Sequence, residues 1–248
     1  MCFEVLDIPA AWIIILLFLV GSSIYSFLNA VIYRVPLHMD FITARSRCPE
    51  CGHLLTFFDM LPVFGWFLLG GKCRYCHGRI SLRYPLAEAF GGSMALLCVY
   101  KWGYCWRALF VYLFLAALTA VAFVDLDTLR IPNGFTAAAA AVGVLSIPFS
   151  PEPGLPERLL GVICISVPLL IIALIMPGGL GGGDIKLTAA CGLFLGWKQM
   201  TAAFAVAVCA AGVYCIVMLS LGKMDRHSKL ALGFFLCLGM GIVLFLPI

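Results

Sequence analysis

Eight apolar runs, at about 10–33, 85–100, 107–124, 134–149, 159–176, 186–197, 200–220 and 230–247, take up most of this 248-residue chain. A bilayer hydrocarbon core is crossed by about 20 apolar helical residues, and lipid offers no partner to a bare peptide group. A chain patterned in this way is confined to helices whose backbone bonds are satisfied internally. Composition agrees: 63% of residues are hydrophobic and 11% charged, against roughly 25% charged in soluble domains. The expected fold is all-α, a polytopic membrane helix bundle of about eight transmembrane helices. The second and sixth runs are the shortest. Only 34–84 is long and polar enough to form anything outside the bilayer, which divides the chain into a first helix at 1–33, a loop domain at 34–84 and a bundle at 85–248.

The first run is flanked by Glu4 and Asp7, where a secretory signal peptide needs positive charge, so it is expected to persist as a helix. With eight crossings, the loop at 34–84 and the turns at 125–133, 177–186 and 221–229 fall on one side. That side holds Arg34, Arg45, Arg47, Lys72, Arg74, Arg79, Arg83, Arg130, Lys186, Lys223, Arg226 and Lys229, whereas Lys101, Arg107, Arg158 and Lys198 lie on the other. Twelve basic residues against four place the first side in the cytoplasm. The net charge of +4 is thus a topology signal. The basic residues form no continuous patch, and no nucleic-acid partner is expected.

Of twelve cysteines, eight (Cys2, Cys98, Cys105, Cys164, Cys191, Cys209, Cys215 and Cys237) are scattered in or beside apolar runs, as small hydrophobic packing residues are. The other four are Cys48-Pro-Glu-Cys51 and Cys73-Arg-Tyr-Cys76, two CxxC pairs separated by 21 residues. Tetrathiolate zinc modules space their pairs by about 15–20 residues. Each pair sets two thiolates on one tight turn, and two turns complete a tetrahedron. Disulfides are the alternative, but a cytoplasmic loop is kept reduced. Zinc held by four protein ligands has no open position, so it would fold the loop and not catalyse.

Between two apolar runs the chain reads Gly178-Gly-Leu-Gly-Gly-Gly-Asp184-Ile-Lys-Leu187. Glycine costs roughly 1 kcal/mol relative to alanine in a helix, so Gly178, Gly179, Gly181, Gly182 and Gly183 open the backbone here. Irregular backbone at membrane depth survives only where it is covered or lines a cavity, and an ionisable residue beside it is a functional candidate. By itself the motif also fits a flexible turn in which Asp184 caps the next helix. A second acid, Asp125, closes the run at 107–124 and precedes Asp184 by 59 residues and two spans. An even number of crossings returns the chain to the same face, so the two acids can meet. Two carboxylates in one partly desolvated site cannot both ionise easily. One keeps a proton and the other accepts one from water, as an aspartic protease requires. Asp127 lies about 200° further round a continuing helix and is expected to be a solvated turn residue. Pro132 and Asn133 mark the stop and restart between helices.

Asp125 seven positions before Pro132, the GGGD ending at Asp184, the paired CxxC loop after the first run, and Arg83-Tyr84-Pro85-Leu86-Ala87-Glu88 together resemble the bacterial type IV prepilin peptidases, GxGD aspartic proteases. Asn29 and Arg34-Val35-Pro36 are similar to the family's entry into its loop, and the resemblance runs over about 21–220. It implies a bifunctional enzyme of the bacterial inner membrane with its site facing the cytoplasm. Such an enzyme cuts the basic leader from type IV prepilins or type II secretion pseudopilins, then methylates the new N-terminus with S-adenosylmethionine. By the same match Asp125 and Asp184 are the catalytic pair. Gly181 and Gly183 would leave backbone bare for hydrogen bonding to an extended substrate. Glu88 is compatible with a cofactor-side acid and equally with a helix-start role beside Arg83. Gly65 stands before Trp66 where the family carries serine. His38, His53, His77 and His227 have no ligand spacing and receive no role.

Two other functions fit parts of the pattern. An ion or solute transporter with a broken helix explains the glycines but not the thiols, and no second glycine-interrupted run suggests an inverted repeat. A scaffold docking partners through the loop leaves both acids idle.

Overall fold

The computed structural model describes residues 10–37, 39–40, 46–48, 50–56, 58–176, 180–223 and 230–247. Cys2, Glu4, Asp7, His38, Arg45, Gly178, Gly179, Arg226, His227 and Lys229 lie outside the described residues. Among the described residues the secondary structure is helical apart from two isolated β-bridges, Arg47 with Leu54 and Lys72 with Arg79. The helices are α1 (Ala10–Arg34), the short α2 (Phe64–Leu68), α3 (Arg83–Trp102), α4 (Trp106–Thr128), α5 (Asn133–Leu145), α6 (Leu155–Ile175), α7 (Gly182–Ser220) and α8 (Leu232–Phe245). Four segments are long and apolar enough to cross a membrane: Ala11–Leu37, Trp106–Thr128, Leu155–Ile175 and Gly182–Ser220. The all-helical membrane fold is therefore as expected, with four such helices rather than eight established by length and hydropathy.

The longest helix accounts for part of that difference. The sixth and seventh apolar runs both lie in α7, yet the backbone inside it leaves the helical region at Gly196, with φ 72° and ψ 172°. A residue with a Cβ is strained at that φ. Pro153 sits where such a Cβ would go, 2.9 Å from its ideal position. Carbonyls near the break need other donors, and Arg158 supplies them. Its guanidinium donates to the Leu193 carbonyl and to Ser146 Oγ, each at 2.9 Å, and to the Pro153 carbonyl at 2.9 Å. A cation that looks like a loop residue in the sequence is in fact 2% exposed, because it satisfies carbonyls that lipid could not.

The chain forms two compact units, Met1–Tyr112 and Leu113–Ile248. In the first, α1 packs along α3, and the Tyr112 hydroxyl donates to the Gly21 carbonyl at 2.9 Å. Asn29 donates to the Tyr84 carbonyl at 3.4 Å, which ties the end of α1 to the start of α3. In the second unit α7 packs against α5, α6 and α8. Phe114 and Phe194 stack at 4.3 Å between ring centroids, around a core that includes Val121, Leu187, Leu195, Met200, Leu236 and Met240.

Candidate functional site

Both acids belong to the second unit, and both are buried: Asp125 is 5% exposed and Asp184 9%. Asp125 lies in the last turn of α4, where the chain stops at Thr128, turns through Leu129 at φ 53° and restarts α5 after Pro132. Asp184 is the third residue of α7, whose first two residues are Gly182 and Gly183, so these two glycines, expected to open the backbone, begin the helix instead. The two carboxylates lie within electrostatic range of each other. Asp127, two residues beyond Asp125, is exposed, as helical geometry requires for residues two apart.

Around the pair the backbone is bare. An ideal Cβ on Gly181 would lie 3.1 Å from Asp184 Oδ2, and one on Gly183 would lie 3.1 Å from the Cβ of Ile131. Lys186 donates to Asn133 Oδ1 at 3.0 Å, which fastens the start of α5 to the first turn of α7. Sequence reasoning missed the contribution of α8. Asp125 Oδ2 accepts the Phe234 N–H at 3.1 Å, and Gly233 lies against the same carboxylate. The first N–H groups of a helix have no partner within it, so Asp125 satisfies from outside a donor that Ala231, at the N-cap, does not reach with a side chain. Leu232-Gly233-Phe234 reads like any apolar helix segment, and no local signal pairs it with a residue 109 positions away.

The first unit carries the cysteines. The Sγ atoms of Cys48, Cys51, Cys73 and Cys76 all lie within 4.8 Å of one another, and those of Cys48 and Cys76 are 3.9 Å apart. Four sulfurs about 2.3 Å from a central ion in a tetrahedron stand about 3.8 Å apart, so the cluster fits one metal ion. Each CxxC turn is closed in the same way. The Cys48 N–H donates to the His53 carbonyl and the Gly52 N–H to the Cys48 carbonyl, while the Cys73 N–H donates to the Gly78 carbonyl and the His77 N–H to the Cys73 carbonyl. Backbone N–H groups of Cys51 and then Glu50 point at the Cys48 sulfur and bring its thiol down to about 7, while Cys76, against the pull of the Gly78 N–H, is pushed up to about 12 by burial and the neighbouring thiols.

The two turns differ at one position. Gly52 has φ 69°, and its counterpart His77 has φ 58°, a left-handed conformation that costs a residue with a Cβ about 1–2 kcal/mol. His77→Gly is expected to stabilise the second turn by about 0.5–1 kcal/mol, read as slower hydrogen exchange of the Cys73 and His77 amides. Unchanged or faster exchange would contradict that.

Glu88 is engaged by the loop. Its Oε2 accepts the Val63 N–H at 2.7 Å. Val63, at φ 63° and ψ −56°, is the centre of a tight turn in which the Phe64 N–H reaches the Pro62 carbonyl at 2.6 Å. Such positive-φ γ-turns are strained, most of all for a β-branched residue, and Glu88 gives the strained amide its partner. Next to it, a Cβ on Gly65 would stand 3.0 Å from the Asp59 carbonyl oxygen, so a serine here would require that carbonyl to give way. Asp59 in turn pairs with Arg74, between the second pair of cysteines, at 2.9 Å.

Comparison with known proteins agrees with this division. Residues 19–102 match the bacterial peptidase A24 N-terminal domain, and residues 112–216 match the type IV leader peptidase family. The chain is 32% identical to a prepilin leader peptidase/N-methyltransferase of Bacillus subtilis, over 87% of each chain. It is 32% identical to one of Myxococcus xanthus, over 83% of this chain and 63% of that relative. A third, from Burkholderia pseudomallei, is 29% identical over 91% of this chain and 82% of its own. The match thus takes in a little under two thirds of the Myxococcus protein and most of the other two. No solved structure matches. With paired buried acids in the segment matched by one family description and a four-thiol cluster in the segment matched by the other, the chain belongs to the type IV leader peptidase family.

Proposed function

We propose that the protein is an aspartic endopeptidase that removes the leader from type IV prepilins or type II secretion pseudopilins. It then transfers a methyl group from S-adenosylmethionine to the exposed N-terminal amine. The observation that carries this reading is the burial of Asp125 and Asp184 within electrostatic range of each other, at the ends of two helices of one compact unit. In this mechanism one carboxylate takes a proton from water as the oxygen attacks the scissile carbonyl, and the other carboxylic acid delivers its proton. The tetrahedral intermediate collapses with the proton passing to the leaving amine. Gly181, beside Asp184 Oδ2, leaves an approach along which an extended substrate can hydrogen-bond to backbone, while Gly183, packed against Ile131, supports the loop. The name of the relatives, prepilin leader peptidase/N-methyltransferase, supports both halves of the activity.

The four thiols of Cys48, Cys51, Cys73 and Cys76 are assigned to one structural zinc ion, which closes the loop domain at 34–84 and supplies no chemistry to the substrate. Glu88 is assigned to holding the Val63 turn of that loop domain, in preference to a cofactor-side role. Eight crossings of the bacterial inner membrane, with the acids and the zinc loop facing the cytoplasm, are supported by the excess of basic residues in the corresponding loops and by the break at Gly196 that divides α7. Membrane lipid is then the surroundings of the helices and the pilin the macromolecular substrate. The transporter reading is not favoured, since it has no use for the thiol cluster.

Purified protein in detergent or lipid is expected to cut a leader-bearing prepilin at its leader junction, and to methylate the product when S-adenosylmethionine is added. A folded preparation that does neither would refute the assignment.

A further inference from the structure

We propose that Gly233 and Ile131 are positioning residues that hold Asp125 against Asp184. The inference rests on reading these acids as the cleavage pair. Neither residue could be chosen from the sequence, where Ile131 is one apolar residue in a turn and Gly233 one glycine in an apolar helix.

A side chain at position 233 would collide with Asp125 and Ile131. A Cβ on Gly233 would lie 2.8 Å from Asp125 Oδ2 and 2.8 Å from Ile131 Cδ1, closer than real Cβ atoms approach their neighbours. The bare position lets the Asp125 carboxylate settle onto the first turn of α8 and accept the Phe234 N–H at 3.1 Å. With an alanine here Ile131 Cδ1 and Asp125 Oδ2 must both give way, turning the carboxylate, or α8 must retreat and take its N–H with it. Ile131 constrains the other side. Its Cβ stands 3.1 Å from the ideal Cβ position of Gly183, the residue before Asp184. One isoleucine is therefore wedged between the glycine that carries the chain into Asp184 and the glycine on which Asp125 rests. A displacement at either glycine passes through Ile131 to the other acid. Packed interiors do not absorb such shifts smoothly, and a carboxylate misplaced by about 1 Å can cost about 100-fold in rate.

The test uses the full chain in lipid with a prepilin substrate, measuring kcat and KM for cleavage separately, and methylation of a pilin already lacking its leader. Gly233→Ala is expected to lower kcat for cleavage about 100-fold, with KM and methylation near wild type. Gly134→Ala, at a position with nothing within 4 Å of the added Cβ, is expected to change neither. Ile131→Val removes the Cδ1 that an added Cβ would strike, so combining it with Gly233→Ala gives the added methyl room with α8 and its Phe234 N–H in place, and is expected to restore at least tenfold of the lost kcat, about 1.4 kcal/mol. The proposal is overturned if Gly233→Ala keeps wild-type kcat. It is also overturned if cleavage and methylation fall together with the folded fraction, or if the double variant recovers nothing. Asp125→Asn run alongside separates the two ideas. If it still cuts, the reading of the acids fails; if it is dead while Gly233→Ala is fully active, only the positioning role fails.

Discussion

Asp125→Asn and Asp184→Asn are each expected to lower prepilin cleavage by at least about 10³-fold, since positioned acid–base catalysis contributes about 10²–10⁴-fold and an amide can do neither half of it. Each change keeps the size and much of the hydrogen bonding of the carboxyl group. Asp125→Asn still presents an amide oxygen to the Phe234 N–H that Asp125 Oδ2 now accepts at 3.1 Å, so the fold should survive. The exposed Asp127 provides the internal control: Asp127→Asn is expected to retain most activity. The pH dependence of cleavage should be bell-shaped, with apparent values that belong to the pair and not to either acid. Methylation of a pilin already lacking its leader should persist in both inactive variants. A folded Asp184→Asn protein that cuts at near the wild-type rate would remove the aspartic mechanism, and the glycine-rich approach to α7 would then need a structural explanation.

What the sequence revealed, and what it hid, follows from the range of each signal. Apolar runs marked every long helix because lipid or a packed interior must surround about 20 residues at once, a signal spread over many positions. The two acids were legible because an acid at the end of an apolar run is costly wherever it goes. α5 and α6 lie between them in the chain, and both acids are buried in the same compact unit. The paired CxxC turns were legible because their geometry is local. The partners of these groups were not. Phe234 meets Asp125 across 109 residues, and Arg158 disappears from the surface because it bonds to carbonyls of Pro153 and Leu193. Neither pairing leaves a mark in the flanking residues. Backbone strain was hidden for a related reason. Val63 and His77 hold positive φ without being glycine, and only the surrounding turns, with Glu88 accepting the Val63 N–H, make those conformations tolerable.

Cys48→Ser or Cys76→Ser is expected to abolish stoichiometric zinc, from about one ion per chain to a small fraction of that, and to unfold the loop between α1 and α3. The size of the effect follows from the site. A structural zinc ion contributes about 10–16 kcal/mol of apparent binding free energy, which is also folding free energy where no site exists before folding. Without the proposed metal, the described residues of this segment offer little apolar interior to fall back on. Among the described residues Cys48 and Cys73 are buried, but Phe64, Phe67 and Leu68 of α2 are exposed, and the polar contacts include turn hydrogen bonds, the Arg74–Asp59 pair, the Trp66 indole N–H on the Ile80 carbonyl and the Val63 N–H on Glu88. Serine neither binds zinc well nor leaves the other three thiolates a tetrahedron. The acids belong to the unit Leu113–Ile248, whereas all four cysteines belong to Met1–Tyr112. Methylation should therefore fall further than cleavage in these variants, and chelation of the wild-type protein should reproduce the same split. Elemental analysis finding no metal in a wild-type protein whose loop amides are protected would refute the zinc assignment. Equal loss of both activities in Cys48→Ser would make the loop part of a substrate site that cleavage and methylation share.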